Sequence, residues 1–263
     1  MKPKGVNLTT SRAPRPFDHW RWPHEARAAV SLTYDDGRLN HLDVAIPDLE
    51  QFRFRGTFYL TNNSEVDYCL DRWRAAFSRG HEIGNHSYNH PSKDELSDYD
   101  AGDILAEVGH GALWLKRSIG HDPDRSFAYP HGQLGIGTGN NDRHSYATAI
   151  SRYHKVARSA LGTTNDPHDV GRPLTVVSAS GFHAPDGVRL RDLWAYCEGA
   201  ARSGHWAIFM FHDVLDTDAP AGNQLSRHVH RQLLTYLRGA PVWVAPVKEV
   251  AAYIFRNSTG HVA

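Results

Sequence analysis

The chain has 263 residues, of which 40% are hydrophobic and 22% charged, a balance typical of a globular protein with one large domain or two small ones. Lysine plus arginine and aspartate plus glutamate both number 29, which argues against a nucleic-acid partner or an anionic membrane surface. The two cysteines, Cys69 and Cys197, are far apart, so they predict neither a cysteine zinc site nor a disulfide framework.

The N-terminal residues 1–24 contain several prolines and basic residues but no apolar run, which predicts an irregular arm. The sequence shows no secretory signal peptide and no run long enough to span a membrane. We therefore expect one domain over residues 25–257, a short tail over 258–263, and a cytoplasmic location.

Short apolar runs alternate with helical patterns along the rest of the chain. The predicted strands are residues 28–34, 56–61, 81–85, 125–129, 154–158, 206–211 and 241–245. The predicted helices are residues 41–53, 70–79, 94–118, 143–152, 188–203, 224–238 and 246–256. This alternation predicts an α/β fold with a parallel sheet, in which catalytic residues gather at the carboxyl ends of the strands. Seven strands suit an incomplete or distorted barrel, or an open sheet.

Two adjacent carboxylates, Asp35 and Asp36, follow the first predicted strand in the sequence Thr-Tyr-Asp-Asp-Gly. Adjacent residues at a strand end point in different directions, so one carboxylate can bind a metal while the other faces a substrate. Asp-Asp-Gly is also good turn chemistry, so a purely structural role is an equal alternative for this pair taken alone.

The sequence His-Ser-Tyr-Asn-His follows the third predicted strand and places His86 and His90 four residues apart. This spacing puts both imidazoles on one face if the segment is helical. Two histidines and one aspartate form a ligand set typical of catalytic zinc, which keeps a position open for water or substrate. Because the chain has 18 histidines, two solvated side chains are the alternative.

A third candidate, His212, follows the apolar strand of residues 206–211. Its position suits a general acid, and a histidine at the edge of the core, bonded to a backbone carbonyl, is the alternative. The chain has no Gly-x-Ser-x-Gly nucleophile motif, and the glycine-rich residues 135–139 match neither a P-loop nor a dinucleotide-binding fingerprint. The residues at the strand ends therefore predict metal-assisted hydrolysis of an acyl group.

These motifs resemble those of a known family, the polysaccharide deacetylases with a NodB homology domain (carbohydrate esterase family 4). Residues 33–37 are similar to the first motif of that family, residues 86–90 to the second, and residues 211–213 to the last. The resemblance covers residues 25–255 and implies a single-domain, distorted (β/α)7 barrel.

The resemblance also implies a role for each motif residue. Asp36, His86 and His90 would bind a divalent ion, with zinc expected first and cobalt, nickel or manganese as alternatives. Asp35 would be the general base toward the attacking water, and His212 would protonate the leaving amine or alkoxide. The ion would activate the water and polarise the acyl carbonyl.

The third motif departs from the family pattern. Ala128 stands where the family has an arginine that pairs with the catalytic aspartate. By analogy, the backbone N–H of His131 would bind the oxyanion. We predict that Arg172 supplies the missing cation from another loop, with Arg158 as the second candidate, and a structural salt bridge is the alternative for either.

The predicted substrate is an N-acetylated sugar, oligosaccharide or polysaccharide, with an O-acetylated one as the second choice. Tyr129, Pro130 and Trp20 are predicted to contact the sugar, although large aromatic side chains more often belong to the core. Two alternatives remain open: hydrolysis of a non-sugar amide or cyclic ureide, and a catalytically silent sugar- or metal-binding module. The sequence does not decide whether the chain forms a homo-oligomer.

Overall fold

Strands and helices alternate through residues 20–171, 174–182 and 187–258, which are the residues that this computed structural model describes. The strands are β1 (Ala28–Asp35), β2 (Thr57–Leu60), β3 (Glu82–Asn85), β4 (Phe127–Ala128), β5 (Val156–Ser159), β6 (Thr175–Ser178), β7 (Ser180–Gly181), β8 (Trp206–Phe211), β9 (Val214–Leu215), β10 (Leu225–Ser226) and β11 (Val242–Val244). The α-helices are α1 (Ile46–Gln51), α2 (Ser64–Tyr68), α3 (Leu70–Ser78), α4 (Lys93–Asp98), α5 (Ala101–Ser118), α6 (Arg143–Ser151), α7 (Leu190–Ser203), α8 (Arg227–Gly239) and α9 (Val247–Ser258). A π-helix, His41–Ala45, leads directly into α1.

The main sheet is parallel and runs in the order β6-β5-β4-β3-β2-β1-β8-β7. Its two end strands, β6 and β7, are separated in the sequence only by Ala179. The segment of residues 175–181 therefore pairs with β5 through its first half and with β8 through its second half. This pairing closes the sheet, so the architecture is the expected distorted (β/α)7 barrel in a single domain.

The seventh strand of the barrel is not the one that the sequence predicted. The prediction counted residues 241–245 and missed the segment of residues 175–181. β11 instead pairs with residues 28–30 at the amino end of β1, beside the part of β1 that pairs with β2. The run Thr-Val-Val-Ser of β6 has the β-branched residues typical of a strand, but a run of four is too short to stand out in a sequence.

The predicted helix over residues 94–118 is in fact two helices, α4 and α5, separated by Tyr99 and Asp100. The Asp100 carboxylate accepts hydrogen bonds from the backbone N–H groups of Gly102 and Asp103, at 2.7 and 2.9 Å. An aspartate that satisfies the free N–H groups of a first turn starts a new helix rather than continuing the old one. Among the described helices, none combines the length and the apolar character needed to cross a membrane.

Helix α9 covers one end of the barrel. Its residues Val247, Val250 and Ile254 pack in one core cluster with Trp206 and Ile208 of β8. Because Trp206 begins β8, this contact lies at the amino ends of the strands. The carboxyl ends lie at the opposite side of the barrel, where the loops carry the candidate site.

Candidate active site

A cleft of about 640 Å³ lies at the carboxyl ends of the barrel strands. Its walls come from the loops that follow six strands, β1 to β5 and β8. The lining residues include most of those predicted from the sequence: Asp35, Asp36, His86, His90, Tyr129, His131 and His212. The parallel barrel therefore brings motifs that are far apart in the chain to a single rim.

Three of these residues form a candidate metal centre. The Oδ1 atom of Asp36 lies 3.6 Å from Nε2 of His86 and 3.5 Å from Nε2 of His90. One ligand atom from each residue lies within 4.8 Å of the other two. Two ligand atoms bound to one tetrahedral zinc ion at about 2.1 Å would lie roughly 3.4 Å apart, so this donor set fits such an ion.

The hydrogen bonding of His86 favours metal binding. Its Nδ1 atom lies 2.9 Å from the carbonyl oxygen of Ala128, and because a carbonyl can only accept, Nδ1 carries the proton. The lone pair is then on Nε2, the atom that faces Asp36, as in most histidine ligands. Burial lowers the pKa of His86, although the Asp35 carboxylate opposes that effect. The ring is therefore neutral at neutral pH, as a ligand must be.

The loop that carries His86 and His90 is not helical, so helical i,i+4 geometry does not bring the two rings together. Their centroids are nevertheless 4.6 Å apart, because Ser87 and His90 adopt positive φ angles of 66° and 54°. Asp36 and His131 at the same rim have φ angles of 76° and 55°. These four are half of the eight described non-glycine residues with positive φ. Such conformations persist only where the surroundings enforce them, and they concentrate at functional sites.

Two contacts hold the His86–His90 loop in this conformation. The Ser87 hydroxyl accepts a hydrogen bond from the backbone N–H of His90 at 3.0 Å. Glu107 of α5, only 4% exposed, accepts hydrogen bonds from the backbone N–H and from Nδ2 of Asn89, at 2.5 and 2.9 Å. Since Asn89 immediately precedes His90, Glu107 sets the direction of that imidazole. Sequence reasoning missed Glu107 because it belongs to no motif, and a buried acid on an amphipathic helix was its only signal.

The carboxylate of Asp35 forms a buried ion pair with Arg158. The Nη2 atom of Arg158 lies 2.6 Å from both carboxylate oxygens, and the two side chains are 1% and 4% exposed. Burial by itself would raise the pKa of Asp35, but Arg158, with smaller contributions from His86 and His212, outweighs burial and lowers it. Asp35 is therefore ionised at neutral pH.

The position of Arg158 accounts for the departure in the third motif. Arg158 on β5 is the register partner of Ala128 on the neighbouring strand β4. The guanidinium that the family carries at the position of Ala128 is thus supplied from the next strand of the barrel. Arg172, the residue predicted first to supply this cation, lies outside the described residues. The observed partner of Asp35 is Arg158, the second predicted candidate.

The predicted substrate contacts lie in two different places. Tyr129 lines the cleft, although it is only 2% exposed, and Pro130 is buried next to it. Trp20 is not brought to the cleft, because it packs against Trp22 and His168 with ring centroids 6.0 and 5.4 Å away. Trp22 joins the core cluster of α9, so Trp20 lies at the amino end of the barrel, opposite the cleft.

Comparisons with known proteins agree with this fold. Residues 24–149 match the family model of the polysaccharide deacetylases. A chitin deacetylase of Colletotrichum lindemuthianum is 35% identical over 98 residues, which cover 36% of this chain and 38% of that protein. A gellan lyase of a Bacillus species is 23% identical over 279 residues, which cover 94% of this chain but 10% of that protein. The chain therefore spans well under half of either relative.

The solved structures include a protein of Mycobacterium smegmatis assigned to the polysaccharide deacetylases. It superposes with a TM-score of 0.68 at 16% identity and covers 90% of this chain and 93% of its own, which shows a common fold. The chain is therefore similar to the polysaccharide deacetylase family over residues 24–149 and shares the fold of its solved structures. The segment that matches the family model includes Asp35 and the candidate metal centre but ends before Arg158 and His212.

Proposed function

We propose that the protein is a metal-dependent hydrolase that removes acetyl groups from an N-acetylated sugar or polysaccharide, with an O-acetylated carbohydrate as the second choice. One observation carries this proposal: the donor set of Asp36, His86 and His90 lies at the same rim as the buried pair of Asp35 and Arg158. The match of residues 24–149 to the family model supports the reaction class. The matched chitin deacetylase supports an N-acetylated polysaccharide as the substrate.

The residues that would hold the metal are Asp36, His86 and His90. Two imidazoles and one carboxylate suit zinc first, with cobalt, nickel or manganese as alternatives. When bound, the ion would activate a water molecule and polarise the acyl carbonyl.

The chain itself would supply the base, the acid and the oxyanion donor. Asp35 would accept a proton from the attacking water, since it is ionised and its Oδ2 atom lies 3.9 Å from Nε2 of His86. Arg158 would hold that carboxylate in place. His212, which lines the same cleft, would protonate the leaving amine. The backbone N–H of His131 would donate a hydrogen bond to the oxyanion.

The two alternative functions are now unequally supported. A catalytically silent module was favoured by the missing arginine of the third motif, and the Arg158–Asp35 pair removes that argument. Hydrolysis of a non-sugar amide or cyclic ureide would use the same residues, so a substrate comparison has to separate it from carbohydrate deacetylation.

The deciding experiment measures acetate release from N-acetylated chito-oligosaccharides, free N-acetyl amino sugars and O-acetylated xylan. Each substrate is tested after chelation of the protein and again after zinc is added back. We expect release to stop on chelation, to return with zinc, and to be fastest on the N-acetylated oligosaccharides. Asp36→Ala is the control, which should bind zinc weakly and release no acetate.

Stoichiometric zinc binding without acetate release from any of these substrates would contradict the carbohydrate deacetylase. A second panel of linear amides and cyclic ureides would then distinguish the remaining two functions. Turnover of a member of that panel would indicate a non-sugar amidase, and no turnover would indicate a silent module.

A further inference from the structure

The loop that carries His212 is tied to the loop that carries the two aspartates. The Nδ2 atom of Asn40 donates a hydrogen bond to Oδ1 of Asp213 at 2.8 Å. The backbone N–H of Val214 donates to Oδ1 of the same Asn40 side chain at 3.1 Å. One amide group therefore holds two consecutive residues directly after His212.

His41 adds a third hydrogen bond to this link, from its Nε2 atom to the backbone carbonyl oxygen of His212. The His41 ring is fully buried, and burial lowers its pKa to about 4, so at neutral pH it is neutral and carries one N–H. Because a carbonyl can only accept, that N–H is on Nε2. The Nδ1 atom then has no hydrogen-bond partner among the described residues. A buried nitrogen without a partner is unfavourable, so packing alone does not explain a histidine here.

The backbone around this link is also unusual. His41 begins the π-helix His41–Ala45, with Asn40 in the preceding cap position. Single π-helical turns are rare and frequently occur at functional sites. Asn40 comes only four residues after Asp36 in the chain. The link therefore connects the loop of the carboxylates to the loop of His212 at the open end of the barrel.

We propose that Asn40 and His41 are positioning residues that hold the backbone of residues 212–214 so that the His212 imidazole faces the substrate. This inference rests on the proposed function, in which His212 protonates the leaving group. Neither of these two described residues lines the cleft, so both act through His212. The Asp213 carboxylate takes part in the link by accepting from Asn40.

The test compares two substrates that differ in their need for an acid. The phenolate of 4-nitrophenyl acetate leaves without being protonated, whereas the amine of an N-acetyl sugar must be protonated. We expect Asn40→Ala and His41→Phe to lower kcat for an N-acetylated chito-oligosaccharide by about 10–100-fold while KM changes little. The kcat for 4-nitrophenyl acetate should fall less than about threefold, because no acid is needed there.

A charge exchange provides the rescue. Asn40→Asp places a second carboxylate against Asp213 and should lower kcat for the N-acetyl substrate. Adding Asp213→Asn restores one donor and one acceptor in reversed positions, so the double variant should recover most of the loss. Asn257→Ala, on the exposed end of α9, is the matched control and should leave both substrates unaffected.

Equal losses on both substrates, with no recovery in the double variant, would overturn the inference and leave a merely structural link. A wild-type protein that hydrolyses neither substrate would overturn the proposed function instead. In that case the ¹⁵N chemical shifts of the His212 ring in the zinc-loaded protein decide the inference. They should change in Asn40→Ala and stay constant in Asn257→Ala, and constant shifts in both variants would refute the positioning role.

Discussion

Two buried carboxylates at opposite ends of the barrel have pKa values that shift in opposite directions. At the carboxyl end of β1, Arg158 outweighs the effect of burial and lowers the pKa of Asp35. At the amino end of β3, burial raises the pKa of Glu82, and the hydrogen bonds that it accepts only partly offset this. Both side chains are almost fully buried, so burial does not distinguish the two sites.

The difference lies in what surrounds each carboxylate. Glu82 accepts hydrogen bonds from the Thr57 hydroxyl, from the backbone N–H and hydroxyl of Ser126, and from the backbone N–H of Lys248. These hydrogen bonds connect β2, β3, the residue before β4 and the start of α9, so Glu82 links the segments at the covered end of the barrel. Asp35 has one strong cationic partner and also lines the open cleft. A buried acid therefore keeps its charge where a cation compensates it, and its other side can still border a cleft.

The largest expected effect comes from Asp35→Asn, which keeps the shape of the side chain but cannot accept a proton. General bases contribute about 10²–10⁴-fold to rate, so kcat for acetate release should fall by about that factor. Zinc titration should show unchanged affinity, because Asp35 is not among the proposed ligands. A variant with full activity and intact zinc binding would remove Asp35 from the mechanism.

Removing Arg158 should destabilise the open end of the barrel. Arg158→Ala leaves the Asp35 carboxylate buried without its partner, which should lower the free energy of unfolding by about 3–5 kcal/mol. Arg158→Lys should lower the free energy of unfolding by less, because it keeps the positive charge. It should still lower it, because the planar guanidinium is lost. Urea denaturation measures both. If the alanine variant were as stable as the wild type, burial of the Asp35 carboxylate would not require the ion pair with Arg158.

Glu107→Gln should weaken the metal centre without touching a ligand. One of the two Asn89 donors would face an amide NH₂ instead of an oxygen, so the loop of His90 would lose one anchor. Loss of a hydrogen bond that supports a ligand weakens metal affinity by about 10–100-fold. A zinc competition titration can measure this change. Glu198→Gln, the same change on the exposed face of α7, is the control. Equal zinc affinity in the two variants would contradict the role of Glu107.

Glu82→Gln tests the covered end of the barrel and has a defined pH dependence. Since the pKa of Glu82 is raised in the folded state above the ordinary 4.5, the folded state binds the proton more tightly than the unfolded state. Wild-type stability should therefore fall as pH rises from about 4.5 through the folded-state pKa. At low pH the free energy of unfolding of the glutamine variant should be lower by about 1–3 kcal/mol, because its amide cannot accept all the hydrogen bonds. The fall in stability with rising pH should be absent from this variant.

Urea denaturation between about pH 4 and pH 8 measures both effects. Zinc affinity and the activity per folded molecule should stay at wild-type values. A loss of zinc affinity would mean that the two ends of the barrel are coupled. It would contradict the separate roles of Glu82 and Asp35.

The smallest expected effect is a difference in stability between alanine substitutions at two glycines of α5. A Cβ at Gly111 would lie 2.5 Å from Oδ1 of Asn85 and 3.1 Å from the carbonyl carbon of Ser87, in the loop between His86 and His90. A Cβ at Gly109 would meet the hydroxyl of Tyr153 at 2.7 Å, at the tip of a side chain that is 40% exposed and can move. Gly111→Ala should therefore be about 1–2 kcal/mol less stable than Gly109→Ala, which gains helix propensity. Thermal unfolding measures the stability of both variants. Equal stability would show that the loop of Ser87 moves aside at little cost in free energy.

Much of the candidate site could be predicted because its residues carry local signals. Asp35, Asp36, His86, His90 and His212 each follow a predicted strand, and all five line the cleft. Their chemical types and spacing indicate a metal centre with acid and base. The parallel α/β fold was also predictable, because alternating strands and helices can bury their apolar faces in few ways, whereas the closed barrel was implied by the resemblance to the family.

The remaining features depend on contacts that no local pattern records. The candidate metal-ligand set and the absence of an arginine at position 128 can both be read from short motifs of the sequence. Three features become visible only in the folded protein: Arg158 pairs with Asp35 in place of that arginine, residues 175–181 close the barrel, and Trp20 lies far from the cleft. Strand register and packing between distant segments made these choices, and the energies behind them arise only when the whole barrel has formed.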